Sequence, residues 1–216
     1  MTHLLCLGDS ITDCGRLFSP NPFGDGYVKV LFEMFSETGH PFSIENKGID
    51  GFTLARLLRS LDTWLNASDP DIITVLIGIN DLGIMMNTDR TPAQQQTLLQ
   101  EFFARYEILA QKLSSAEHDR SLFFLEPFIF PWPRCYAAWL PLLSRMSAGI
   151  FQISRKYSAA FVPLQDDLNQ EAVRIGFDRI TTDGIHLTDS GHTLLAKKLY
   201  TSISERAHYG NSNQKN

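Results

Sequence analysis

Five short apolar runs, separated by longer amphipathic segments, restrict what this chain can fold into more than any other feature of it. They lie at residues 4–7 (LLCL), 42–45 (FSIE), 72–77 (IITVLI), 122–125 (LFFL) and 160–164 (AFVPL). Runs this short suit buried strands rather than helices, and the continuous β-rich run at 72–77 suits a central parallel strand covered on both faces. The segments between them repeat apolar residues at helical spacing. Val28, Leu31, Phe32 and Phe35 do so, as do Leu54, Leu57, Leu58, Leu61 and Trp64. Behind Pro92 the series runs through Leu98, Leu99, Phe102, Tyr106, Leu109 and Leu113. Two further helices are expected over 137–157 and 191–204, the second with Thr188 or Asp189 as its N-cap. Strand and helix in alternation predict an α/β fold, one parallel sheet between helix layers. No linker or repeat divides the chain, so residues 1–207 are expected to form one domain, with a frayed polar tail at 208–216.

Composition narrows the partners. A chain of 216 residues buries about 70% of its unfolded surface and needs neither disulfide nor metal to hold it together. A formal net charge of −5 argues against nucleic acid and anionic membranes, which select a basic face. Cys6, Cys14 and Cys135 show no CxxC or CxH spacing and read as free thiols in a reducing compartment. The first apolar run lacks the basic start and cleavage site of a signal peptide, and no stretch reaches the length of a membrane span. The expected protein is therefore soluble and cytoplasmic.

In a parallel sheet of this kind ligands bind beyond the carboxyl ends of the strands, so motifs directly after the apolar runs are placed for chemistry. Gly8-Asp9-Ser10-Ile11 follows the first run. A serine there is displayed at the sheet rim, although a helix-capping turn explains the same residues. Asn46-Lys47-Gly48-Ile49-Asp50-Gly51 follows the second run, where a glycine either exposes a backbone N–H or merely turns the chain. Gly78-Ile79-Asn80-Asp81 follows the third, and a side-chain amide at that point can donate to an oxyanion or begin a turn. Asp183-Gly184-Ile185-His186, near the C-terminus, offers a base and the carboxylate to orient it. Asp189 and His192 extend this to D-x-x-H-x-x-D-x-x-H, which suggests a metal cluster. A helix cap accounts for Asp189 without one, and no metal is expected.

Each motif alone is common; their order, spacing and strand-end placement together resemble those of the SGNH (GDSL-type) hydrolase superfamily over almost the whole chain. The resemblance implies a flavodoxin-like α/β/α sandwich with a five-stranded parallel sheet in order 2-1-3-4-5. It implies Ser10 as nucleophile, Asp183 and His186 as the other triad members, and an oxyanion hole from Ser10, Gly51 and Asn80. No cofactor is implied. The longer strings at residues 8–16, 24–28, 46–49 and 77–81 look like bacterial acetyl-xylooligosaccharide esterases, which remove acetyl groups from short sugar chains. Thr182 stands where some of those relatives carry a large aromatic residue, and Leu187 where many superfamily members carry proline. Both departures bear on the pocket walls rather than the triad.

Three rival readings remain at this point. A short-chain acyl esterase or lysophospholipase-like hydrolase would differ in its preference for acyl length. A non-catalytic carbohydrate-binding protein would have no use for a complete triad. A flavodoxin-like nucleotide binder would need G-x-G-x-x-G or G-x-x-x-x-G-K-[ST], which the chain lacks. The aromatic stretch Glu126 to Arg134 suits sugar stacking, a contact between copies in a homo-oligomer, or an internally packed loop.

Overall fold

The computed structural model describes the backbone of residues 1–39, 41–87, 89–114 and 120–213, with side chains as far as Arg206. β1 (Thr2–Gly8) leads into the one-turn helix α1 (Ser10–Asp13), then α2 (Tyr27–Ser36) and β2 (Phe42–Gly48). Next come α3 (Leu54–Ala67), β3 (Ile72–Leu76), the short α4 (Ile79–Met85) and the long α5 (Pro92–Leu113). β4 (Ser121–Leu125), α6 (Leu140–Lys156), β5 (Ala160–Val162), α7 (Gln165–Ile175), α8 (Phe177–Ile180) and α9 (Asp189–Asn213) follow. All strands pair in parallel, in the order β2-β1-β3-β4-β5. Against the sheet, α2 packs with α9, while α5 packs with α3 and α6. The fold is the flavodoxin-like sandwich that the resemblance implies.

Burial follows position in the sheet. In β1, Leu4, Leu5, Cys6 and Leu7 are all fully buried, as an interior strand covered on both faces requires. The edge strand β2 alternates instead, with Ile44, Asn46 and Gly48 turned inward. β2 also extends past the expected run to take in Asn46, Lys47 and Gly48, because its register with β1 continues to the Gly8–Gly48 pair. Gly8 aligns with Leu76 of β3 as well. Three strands thus end level with one another. The segments carrying Ser10, Gly51 and Asn80 leave the sheet side by side.

Other boundaries differ from the periodicity for local reasons. The long helix expected over 137–157 is a 3-10 turn, Arg134–Trp139, followed by α6, which starts at Leu140. Pro141 has no N–H and fits a helix best in its first turn, so the α-helix begins beside it. The polar helix α7 buries only Leu168 and Ala172 and gives no apolar stripe to read. α5 starts as a capping box: Thr91 Oγ1 accepts from Gln94 N at 3.3 Å, and Gln94 Oε1 accepts from Thr91 N at 2.8 Å. α9 stays helical to Asn213, past Ser204 and into the polar segment where fraying is expected. Among the described residues, no helix is long and apolar enough to cross a membrane.

Candidate active site

The nucleophile position is set by a glycine and an aspartate. A Cβ on Gly8 would lie 2.1 Å from Thr12 Oγ1 and 2.7 Å from the Leu76 carbonyl, so only glycine lets α1 fold back so tightly on its strand. Asp9 caps that helix, its Oδ1 accepting from Ile11 N at 3.1 Å. Ser10 is the first helical residue and half-buried.

The base comes from the loop between α8 and α9. Its frame is a bridge between Thr181 and Leu187, with Thr182 N donating to the His186 carbonyl at 2.9 Å. Thr181 Oγ1 donates to that same carbonyl at 2.7 Å and accepts from Gly184 N at 2.9 Å. Gly184 has φ +95, and a Cβ there would meet the Trp132 carbonyl at 2.2 Å, so the loop needs glycine on both counts. Within this frame Asp183 Oδ1 accepts from the backbone N–H groups of Ile185 and His186 at 2.9 and 2.8 Å. Its Oδ2 lies 2.7 Å from His186 Nδ1. Partial burial by itself would raise the Asp183 pKa; the His186 ring and the two backbone donors outweigh it and hold the carboxyl below its usual range. An ionised carboxylate only accepts, so Nδ1 carries the proton. In the neutral imidazole Nε2 is then the acceptor, and it lies 2.9 Å from Ser10 Oγ. Ser10, distant in sequence, thus forms one hydrogen-bonded chain with His186 and Asp183.

Gly51 and Asn80 are joined through the next residue along. Asn80 Nδ2 donates to the Phe52 carbonyl at 2.9 Å, and its second amide N–H has no acceptor among the described residues. Neither does the Gly51 N–H, which belongs to an exposed turn. Asn80 lies in the first turn of α4, behind Gly78 at φ +133, and not in a loop. Its neighbour Asp81 makes a parallel tie, Oδ2 accepting from Leu54 N at 2.9 Å.

Beneath these groups lies a buried polar layer that the motifs do not announce. Asp9 is fully buried with Oδ2 unpartnered, and burial pushes its pKa up to about 7. Burial likewise pushes Asp81 up to about 6, against the pull of the Leu54 N–H. Asn46 donates to the Thr12 and Phe23 carbonyls at 2.6 and 2.7 Å and accepts from Gly48 N at 2.8 Å, fastening β2 to α1. A His or Asn buried in this way is spelled in the sequence like any surface polar residue.

The D-x-x-H-x-x-D-x-x-H string is divided between two tasks. Thr188 is the N-cap of α9, its Oγ1 accepting from Gly191 N at 3.3 Å, while Asp189 is exposed in the first turn. His192 is buried at 5% exposure. Its Nδ1 accepts from Tyr27 N at 3.2 Å, so the proton sits on Nε2, which faces Cys14 Sγ at 3.4 Å. Burial pushes the His192 pKa down to about 4. The aromatic stretch divides too: Phe128, Ile129 and Phe130 are fully buried packing, whereas Trp132 is 41% exposed.

Known proteins are similar to this chain in sequence and in fold. The chain is 26% identical over 215 residues to the acetylxylan esterase of Geobacillus stearothermophilus, a match covering 93% of both proteins. It is 24% identical over 218 residues to the human isoamyl acetate-hydrolyzing esterase 1 homolog, covering 94% of this chain and 82% of that one. The crystal structure of the Geobacillus stearothermophilus acetylxylan esterase shares the fold, with a TM-score of 0.81 at 23% identity and 94% of each chain covered. The sequence model of the GDSL-like lipase/acylhydrolase family matches residues 6–194, and the chain belongs to that family.

Proposed function

We propose that this chain is a serine esterase that hydrolyses small acyl esters, above all acetyl esters of short oligosaccharides, through a covalent acyl-enzyme. The observation that carries the reading is the unbroken path from Ser10 Oγ through His186 to Asp183. His186 Nε2 takes the hydroxyl proton as Ser10 Oγ bonds to the ester carbonyl carbon. Asp183 keeps the imidazole in the required tautomer and stabilises the imidazolium. The N–H groups of Ser10 and Gly51 and the second amide N–H of Asn80 receive the oxyanion. His186 then protonates the departing alcohol, the C–O bond breaks, and an acyl-Ser10 remains. Water, deprotonated by His186, releases the acid and restores Ser10. These groups supply every proton transfer and charge contact of the reaction, so no step calls for a metal or cofactor.

The acetyl and sugar parts of the proposal draw on the motif strings in the sequence and on the activity named for the Geobacillus stearothermophilus relative. The test is acetate release from a panel of acetylated xylo-oligosaccharides, run beside p-nitrophenyl esters of increasing acyl length. Acetylated sugars are expected to have the highest kcat/KM. A preference for acyl chains longer than four carbons would replace the deacetylase by a general acyl esterase, and release from none would end the esterase reading.

A further inference from the structure

The 3-10 turn Arg134–Trp139 buries none of its residues, yet it holds two half-buried aromatic rings, Tyr136 and Trp139, against opposite walls of the site. On one wall, the Tyr136 ring lies against Gly184 in the Asp183–His186 loop: a Cβ on that glycine would be 2.8 Å from Tyr136 Cδ2. On the other, the Trp139 ring covers Gly83 of α4, with ring carbons 3.6 and 3.7 Å from where a Cβ would stand. The two rings meet edge to face, their centroids 4.9 Å apart at 74°. A continuous aromatic span therefore runs from the loop of the base to the helix that carries Asn80. Tyr136 also senses Asp183: burial first, and then that carboxylate, raises its pKa.

Resting on the esterase reading, we propose that Tyr136 and Trp139 are the specificity platform for the alcohol half of the ester, and that they select a pyranose ring. The direction follows from the mechanism. His186 must protonate the leaving oxygen, so the alcohol lies on the side of the base loop, where Tyr136 sits, while the acyl substituent points away from it. The class of alcohol follows from the surface. Two partly exposed rings make a shallow apolar plate, and the residues flanking it, Arg134 and Thr182, are exposed and polar. A sugar ring matches that pattern, with C–H groups on its face and hydroxyls around its edge. A long alkyl alcohol would need a deeper apolar channel. Gly184 matters because a Cβ there would press on the Tyr136 ring at 2.8 Å, whereas at Gly83 a Cβ would meet Trp139 at ordinary contact distance.

The experiment compares acetylated xylobiose with ethyl acetate, whose alcohol is too short to reach the rings. Trp139→Ala is expected to lower kcat/KM for acetylated xylobiose about tenfold more than for ethyl acetate, chiefly through KM, and Trp139→Phe should restore part of the difference. Equal losses on the two substrates, or a loss confined to kcat, would overturn the platform. A second arm needs no hydrolysis: Ser10→Ala protein should bind unacetylated xylobiose with quenching of tryptophan fluorescence, and Trp139→Ala in that background should abolish it. Absence of xylobiose binding by Ser10→Ala protein would also overturn the platform. Binding that depends on Trp139 in a protein without esterase activity would keep the platform and remove the esterase reading, so the two failures are distinguishable.

Discussion

The loop that carries Asp183 and His186 and the buried layer beneath Ser10 are both polar, yet they are built on opposite terms. In the loop the side chains are about half exposed, 49% for Asp183 and 46% for His186, and Asp183 has its partners within a few residues. In the layer Asp9 and His192 are almost closed off from water; His192 meets Tyr27 and Cys14 from a distant segment, and Asp9 Oδ2 has no hydrogen-bond partner among the described residues. The loop is polar where charge must appear and move. The layer is polar where the chain must be held, and its groups are shifted toward neutrality because a buried charge is costly. Chemistry and scaffold therefore answer to different perturbations: loss of a loop group should stop turnover in a folded protein, and loss of a layer group should move stability.

The sharpest test of that division is at Ser10. Ser10→Ala removes the attacking oxygen and one partly exposed hydroxyl, with no buried contact disturbed. It is expected to lower kcat by roughly 10⁴–10⁶-fold, with the thermal midpoint of the wild type retained. Steady-state kinetics and a melting curve on one preparation decide the matter, and near-normal turnover would take Ser10 out of the triad. A serine-directed phosphonate should label that residue alone.

Asn80 stands on the border between the two regions, since one amide N–H holds the Phe52 carbonyl and the other is open. If the open N–H meets the oxyanion, Asn80→Ala lowers kcat by about 10²–10³-fold with KM little changed, because the contact strengthens only as charge develops. The lost tie to Phe52 should also lower the unfolding free energy by about 1 kcal/mol, typical of one hydrogen bond, and with it the melting temperature. A destabilised variant with full kcat would assign Asn80 wholly to the scaffold.

The same division explains what could be read from the sequence. The strand runs were legible because apolar periodicity depends on near neighbours, and the three-residue spacing of Asp183 and His186 placed a carboxylate beside a base. The sheet order, which depends on pairing between distant segments, came only from the family resemblance. The 3-10 turn before α6 and the polar helix α7 were not legible, since α7 shows only two buried residues and the turn none. Nor were the roles of Asn46, Asp9 and His192. Asn46 works through carbonyls of Thr12 and Phe23, and His192 through Tyr27 and Cys14, contacts that exist only after the sheet is assembled. Nothing in the letters of the D-x-x-H-x-x-D-x-x-H string separates the exposed histidine from the buried one.

The layer is tested directly through the dependence of stability on pH. Burial raises the Asp9 pKa from its ordinary 3.8 to about 7 in the fold, and that of Asp81 from the same ordinary value to about 6. Each is a carboxyl raised by folding, so between those values the folded state binds more protons than the unfolded state, and stability falls as pH rises. His192 has the opposite sign: its pKa is about 4 in the fold against 6.5, so the unfolded state binds the extra proton and stability rises with pH across that window. From pH 4 to about 6.5 the histidine therefore offsets part of what the two carboxyls impose. Asp9→Asn removes the largest falling contribution while its side-chain oxygen can still accept from Ile11 N. Its stability should exceed that of the wild type at pH 8 by roughly 4 kcal/mol, taking about 1.4 kcal/mol per unit, and the advantage should largely vanish near pH 4. His192→Asn retains an acceptor for Tyr27 N but cannot be protonated, so the fall between pH 4 and 6.5 should become steeper than in the wild type, by roughly 3 kcal/mol on the same conversion. Urea midpoints at half-unit steps from pH 4 to 8, on the three proteins side by side, read both changes. If Asp9→Asn were no more stable than the wild type at pH 8, the charge on Asp9 would have to be accommodated in the fold, and the contrast between a charged loop and a neutral floor would not hold.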